Sequence, residues 1–140
     1  MAERRESGGT ARVVVGISGA SGVAYGIRLL EALKDVGAES HLVVTGPGEM
    51  TIGYETALTP KAVSAKADVS YAIGDIAAAI ASGSFKTKGM IVAPCSVRTM
   101  SEIATGVTTN LLTRAADVTL KERRPLILVV RETPLHLGHL

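Results

Sequence analysis

Val14-Val15-Gly16-Ile17-Ser18-Gly19-Ala20-Ser21-Gly22-Val23 decides the fold. A β-branched apolar run enters a loop of glycines and hydroxyls, and a pattern with apolar residues at Ile27, Leu29, Leu30 and Leu33 leaves it. Arg12 to Ser18 therefore reads as a buried strand, and Tyr25 to Val36 as a helix stopped at Gly37. Working outward, Ser40 to Thr45 reads as a second strand and Gly46 to Thr56 as a short helix. Thr59 to Tyr71 is polar and reads as a loop with a short strand, and Asp75 to Ala81 as a helical turn or two. Gly89 to Ala93 is a third strand closed by Pro94. Helices follow over Met100 to Ala104 and Thr109 to Arg123, and Pro125 to Val130 is the last strand. Near-continuous apolar strands alternating with helices predict a doubly wound, Rossmann-like α/β fold, with a mostly parallel sheet covered on both faces.

The 140 residues suit one domain, 12–140, behind a charged, small-residue arm over 1–11. Hydrophobic residues make up 46% and no apolar run is long enough to span a bilayer. The opening MAERRESGGTAR lacks the apolar stretch of a secretory signal, and the single Cys95 has no internal disulfide partner, so a cytoplasmic protein is expected. A formal net charge of +2, no Trp and one Phe leave no basic, aromatic-studded surface for nucleic acid. Neither nucleic acid nor membrane is an expected partner.

In doubly wound sheets ligands bind beyond the carboxyl ends of the strands. Ser18, Gly19, Ala20 and Ser21 follow the first strand, and Thr45 and Gly46 the second. Ser96, Arg98 and Thr99 follow the third, and Arg131 and Glu132 the last. Hydroxyls, two guanidinium groups and a helix N-terminus suit a phosphate. The plainer alternative makes Gly19-Ala20-Ser21-Gly22 a tight turn with a serine N-cap. The glycines Gly16, Gly19 and Gly22 run G-x-x-G-x-x-G, and Val44-Thr45 stands where a ribose-binding carboxylate belongs, so NAD is disfavoured. Neither G-x-x-x-x-G-K-[ST] nor G-x-S-x-G occurs. A mononucleotide such as FMN fits what remains. His136 and His139 lack a third ligand, and no metal is expected. Cys95 reads as a small core residue, and Lys121 to Arg124 (KERR) as a solvated helix end.

Three longer blocks, GISGASGVAYGIRLLEAL, SGSFKTKGMIVAPCSVRTMSEIATG and NLLTRAADVTLKERRPLILVVRETPLHLGHL, resemble the UbiX-like flavin prenyltransferases. The resemblance covers most of the chain from Val13 to Leu140. It implies a flavodoxin-like fold and transfer of a dimethylallyl group from dimethylallyl phosphate to N5 and C6 of reduced FMN, without a metal. The product is the cofactor of UbiD-type decarboxylases. By the same resemblance Gly19, Ala20, Ser21, Thr45, Ser96, Val97, Arg98, Thr99 and Arg131 contact FMN, with Ser21 near the reacting N5 edge. Ser82, Arg114, Lys121 and Glu132 would surround the prenyl phosphate, and Glu55 would stand beside the reaction centre. Positioned cations stabilise a departing phosphate, and Arg114 and Lys121 lie seven apart on one helix. Glu55, Glu132 or the released phosphate could take the proton lost at C6. Family members assemble into homo-oligomers, often dodecamers, with sites built from neighbouring subunits.

Two departures qualify the resemblance. Val130 stands before Arg131-Glu132 where a proline is common. The family continues past the position of Leu140, with a tyrosine and an arginine that grip the prenyl phosphate, so the domain reads as truncated at its C-terminus. The 140-residue chain is expected to bind FMN but to transfer a prenyl group poorly. The alternatives are an FMN-binding or storage module, and a flavin-dependent decarboxylase of the cysteine type. The latter is disfavoured because Pro94-Cys95-Ser96-Val97-Arg98-Thr99 lacks the asparagine of those enzymes' P-A-x-A-N-T segment.

Overall fold

The computed structural model describes residues 10–131. β1 (Arg12–Ile17) lies at the centre of a five-stranded, all-parallel sheet of order β3-β2-β1-β4-β5. The others are β2 (Glu39–Val44), β3 (Val69–Tyr71), β4 (Gly89–Cys95) and β5 (Leu126–Val130). Helix α1 (Val23–Asp35) links β1 to β2, and α2 (Gly46–Glu55) and α3 (Pro60–Ser64) link β2 to β3. The return to β4 carries a 3₁₀ turn at Ala79–Ala81. α4 (Val97–Thr105) and α5 (Leu111–Lys121) lead to β5. The chain thus winds outward from β1 on one side and then on the other. The strand order reverses between the carboxyl ends of β1 and β4, the place where such sheets bind ligands.

Neighbouring residues of β1 feed two separate cores, because side chains alternate along a strand. Val14 joins Val43, Met90, Val92 and Leu112 on one face, and Val15 joins Leu30, Leu42, Val44 and Ile52 on the other. Both faces of the sheet's centre are covered, which explains the near-continuous apolar runs of β1 and β4 and bears out the doubly wound sheet.

Three stretches differ from expectation. Pro94 does not close the third strand: β4 runs through it to Cys95, and the ladder with β5 shifts register between Val92 and Cys95. Proline offers no N–H to the ladder, so an irregularity there is its ordinary consequence. The polar stretch after Thr59 holds a helix. Pro60 occupies its first turn and Thr59 Oγ1 accepts from the Ala62 N–H, but five residues are too few to show a period. The expected helical turns over Asp75 to Ala81 shrink to the 3₁₀ turn.

α5 ends in a Schellman arrangement. The Arg123 N–H donates to the Leu120 carbonyl at 3.0 Å and the Arg124 N–H to the Thr119 carbonyl at 2.9 Å, with Arg123 at φ +57°. An arginine in the left-handed region carries a backbone penalty that glycine lacks. R123G is therefore expected to stabilise the fold by about 0.5–1 kcal/mol after glycine's larger unfolded-state entropy is subtracted, read as a higher urea midpoint.

Candidate functional site

Ser18 sews the carboxyl ends of β1 and β4 together. It is 1% exposed, its N–H and Oγ both donate to the Pro94 carbonyl (3.2 and 3.0 Å), and Oγ accepts from the Ser96 N–H at 2.8 Å. The loop after β1 and the loop after β4 are thereby held as one surface. The loop after β2 joins them: the Thr45 N–H donates to the Ile17 carbonyl at 3.0 Å. Gly19 lies so close to this third loop that a Cβ would stand 2.3 Å from the Pro47 Cβ, which only glycine avoids. From β5, the Arg131 N–H donates to the Cys95 carbonyl at 3.3 Å, and its guanidinium carbon lies 5.1 Å from the centre of the Tyr25 ring.

The residues assigned to FMN by resemblance therefore share one sheet edge, though some expected roles change. Thr45 and Ser96 are helix N-caps. Thr45 Oγ1 accepts from the Gly48 N–H at 3.0 Å, and Ser96 Oγ accepts from the Thr99 N–H at 3.1 Å while donating to Thr99 Oγ1 at 3.0 Å. The hydroxyl protons of Thr45 and Thr99 are left to donate elsewhere. Ser21 caps nothing: the α1 N-cap is Gly22, at φ +96°, with no side-chain cap of its own. Glu55 supplies the missing acceptor. Its Oε1 accepts from the N–H groups of Gly22 and Val23, both at 3.0 Å. A carboxylate thus already occupies the N-terminus of α1, where the first loop was expected to seat a phosphate, and a second anion there would meet its charge.

A neighbouring cavity of about 130 Å³ opens among Thr45, Gly46, Pro47, Arg98, Thr99 and Asn110, with Glu102 and Ile73 completing its wall. Arg98 is 84% exposed and bonds Glu102 Oε2 from Nε at 3.3 Å. Asn110 sits there because it caps α5 reciprocally with Thr113. The Asn-x-x-Thr spacing signals such a cap, but sequence reasoning passed over Asn110 and Glu102.

The prenyl-phosphate set does not gather at this edge. α5 begins at the carboxyl edge, where the Leu111 N–H donates to the Ile73 carbonyl, and runs about 16 Å to its end beside Pro125. Arg114 is one turn in, half-buried, with Nε lacking a partner among the described residues. Lys121 is at the far, amino edge, exposed and paired with Asp117 at 3.3 Å. Ser82 is also at that far edge, since the following Gly83 carbonyl accepts from Arg124. Glu132, His136 and His139 lie outside the described residues. Among the described residues no three His, Cys, Asp or Glu gather as a metal would require, and no helix is long and apolar enough to cross a membrane. Cys95 is buried, and burial pushes its thiol up to about 11, so it offers no thiolate near neutral pH.

With that geometry in hand, the chain can be set beside known proteins. The family described as Flavoprotein matches residues 1–136. Flavin prenyltransferase UbiX of Escherichia coli K12 is 58% identical over 130 residues, 92% of this chain and 69% of that protein. The chain belongs to the UbiX-type flavoprotein family. The UbiX-type structure of AnUbiX (PadA1), in complex with FMN and dimethylallyl pyrophosphate, matches with a TM-score of 0.92 at 48% identity over 93% of this chain and 69% of its own. A dodecameric FMN-dependent UbiX-like decarboxylase from Escherichia coli O157:H7 matches at 0.90 and 46% identity over 91% of this chain and 70% of its own. The sequence resemblance and the flavodoxin-like doubly wound fold are thereby borne out.

Two measurements check this UbiX-type site. S18A leaves the half-buried Ser96 N–H without its acceptor and is expected to cost about 1–3 kcal/mol in urea denaturation. At pH 8 a thiol reagent should label Cys95 only after unfolding. Rapid stoichiometric labelling of the folded chain would contradict the buried, neutral thiol.

Proposed function

We propose that this chain is a flavin prenyltransferase, transferring a dimethylallyl group from dimethylallyl phosphate to N5 and C6 of reduced FMN. The convergence of Ser21, Thr45, Ser96 to Thr99 and Arg131 on one sheet edge carries the reading, in a chain 58% identical to a named enzyme of that activity. FMN when bound supplies the nucleophilic N5 and C6; the remaining work falls to the protein. The cavity beside Arg98 admits an oxyanion but is smaller than the about 300–1,000 Å³ of a site enclosing a drug-sized ligand. Its Thr45 and Thr99 hydroxyls and the Arg98 cation would take the FMN phosphate, because Glu55 already fills the α1 N-terminus. The flavin ring would then lie over Gly19, Ala20 and Ser21 toward Arg131. Glu55, oriented by two N–H groups, stands beside Ser21 as a base for the proton released from C6.

Binding of the substrate phosphate by Ser82, and leaving-group stabilisation by Arg114 and Lys121, belong to the same proposal, as does Glu132. In one chain Ser82 and Lys121 stand at the edge opposite the flavin loops. The proposal therefore includes a homo-oligomer in which one subunit's amino edge completes its neighbour's flavin edge. The dodecameric relative supports such an assembly. A cytoplasmic location and delivery of the product to a UbiD-type decarboxylase complete the reading. The second reading, an FMN-storage module, is favoured by that same separation.

Incubating protein with reduced FMN and dimethylallyl phosphate and then weighing the released flavin separates them. Transfer adds one C₅H₈ unit, storage returns FMN unchanged, and a chain that retains no FMN contradicts both. R98A is expected to weaken FMN binding about tenfold, whereas E55Q should lower transfer far more than FMN affinity.

A further inference from the structure

The turn that carries Ser82 is held from outside by a residue that the sequence pattern placed in solvent. Arg124 follows the left-handed Arg123 at the end of α5, and its side chain is only 13% exposed. Its Nη2 donates to the Gly83 carbonyl at 2.8 Å and its Nη1 to the Phe85 carbonyl at 3.1 Å. One planar guanidinium thus spans two carbonyls of the same turn, a geometry that lysine's point charge does not reproduce.

The rest of the turn is fixed to match. The Phe85 N–H donates to the Ser82 carbonyl at 3.2 Å, closing it. Ser82 Oγ lies 2.9 Å from Ser84 Oγ and accepts from the Ser84 N–H at 3.3 Å. A Cβ on Gly83 would stand 2.7 Å from Glu122 Oε2, so the turn lies flush on the end of α5. The Arg12 guanidinium lies over the Phe85 ring, 4.4 Å from its centroid, and buried His41 packs on that ring at a steep angle with centroids 5.1 Å apart. His41 is itself bonded to Glu39 at 2.7 Å and Tyr71 at 2.9 Å. Within this framework the Ser82 and Ser84 hydroxyls are exposed, as is Lys121 one turn before Arg124 on the same helix end.

We infer that Arg124 is a positioning residue for the prenyl-phosphate subsite: by clamping the carbonyls of Gly83 and Phe85, it fixes the Ser82 hydroxyl against the substrate phosphate. The inference rests on the prenyltransferase reading and on Ser82 serving that phosphate. It assigns Arg124 no contact with substrate, so its loss acts through Ser82 alone.

The test compares R124M, which keeps the packed stem, with R124K, S82A and the double variant S82A/R124M, each loaded with FMN. R124M should raise KM for dimethylallyl phosphate about tenfold, with kcat and FMN affinity little changed and amide exchange faster over Ser82 to Phe85. R124K should recover only a minor part of the loss. The double variant should match the worse single variant, because both act on one group. Multiplying KM effects, or faster exchange with unchanged KM, would overturn the inference. Should the wild-type chain transfer no prenyl group, the prenyltransferase reading fails. The affinity for dimethylallyl phosphate, read by phosphorus NMR, then carries the same comparison with the same expected ratios.

Discussion

A single buried hydroxyl sets the geometry on which the site depends. β1 and β4 are neighbours in the sheet but 76 residues apart where Ser18 meets Pro94. Beyond the end of the ladder their loops would diverge to opposite faces, as the doubly wound order requires. Ser18 prevents a gap from opening there, taking the Pro94 carbonyl and the Ser96 N–H into one side chain. Ser96 is in turn the cap of α4, so the bond also fixes where that helix begins. Alanine would leave both backbone groups without this partner, in a place too buried for water to substitute freely.

Electrostatics divides the resulting edge into two halves. Glu55 takes up the N–H groups of Gly22 and Val23, with the Arg131 guanidinium beside Gly22, whereas Thr45 and Thr99 present hydroxyl donors around the neighbouring cavity, where Arg98 is bonded to Glu102. A ligand with an anionic tail and a ring that must lose a proton matches that polarity: phosphate by the donors, ring by the carboxylate. Arg131, against Tyr25, closes the ring side.

The fold was legible because its signal is repetitive. Val14 and Val15 face opposite cores, and the apolar runs recur in β1, in Leu42 to Val44 of β2 and in β4. The strand-end rule then collected Ser18 to Ser21, Thr45, Ser96, Arg98 and Thr99 with no knowledge of contacts. Side-chain roles were less legible because they depend on long-range partners. Nothing local marks Glu55 as the acceptor for a helix 32 residues earlier, and nothing in KERR separates exposed Lys121 from Arg124, which reaches back 41 residues to Gly83. The five-residue α3 was hidden for a different reason, since its cap and proline are readable but its length holds no period. The opposed positions of Ser21 and Ser82 also escape a linear reading, because the direction of α5 follows from the topology.

The most direct measurement is a crystal structure of the chain with FMN bound. The account predicts the phosphate within hydrogen-bonding distance of Thr45, Arg98 and Thr99, the flavin ring over Gly19 to Ser21, and Glu55 still bonded to the Gly22 and Val23 N–H groups. A phosphate seated on those two N–H groups with Glu55 displaced, or a flavin bound away from the β1–β4 switch point, would contradict it.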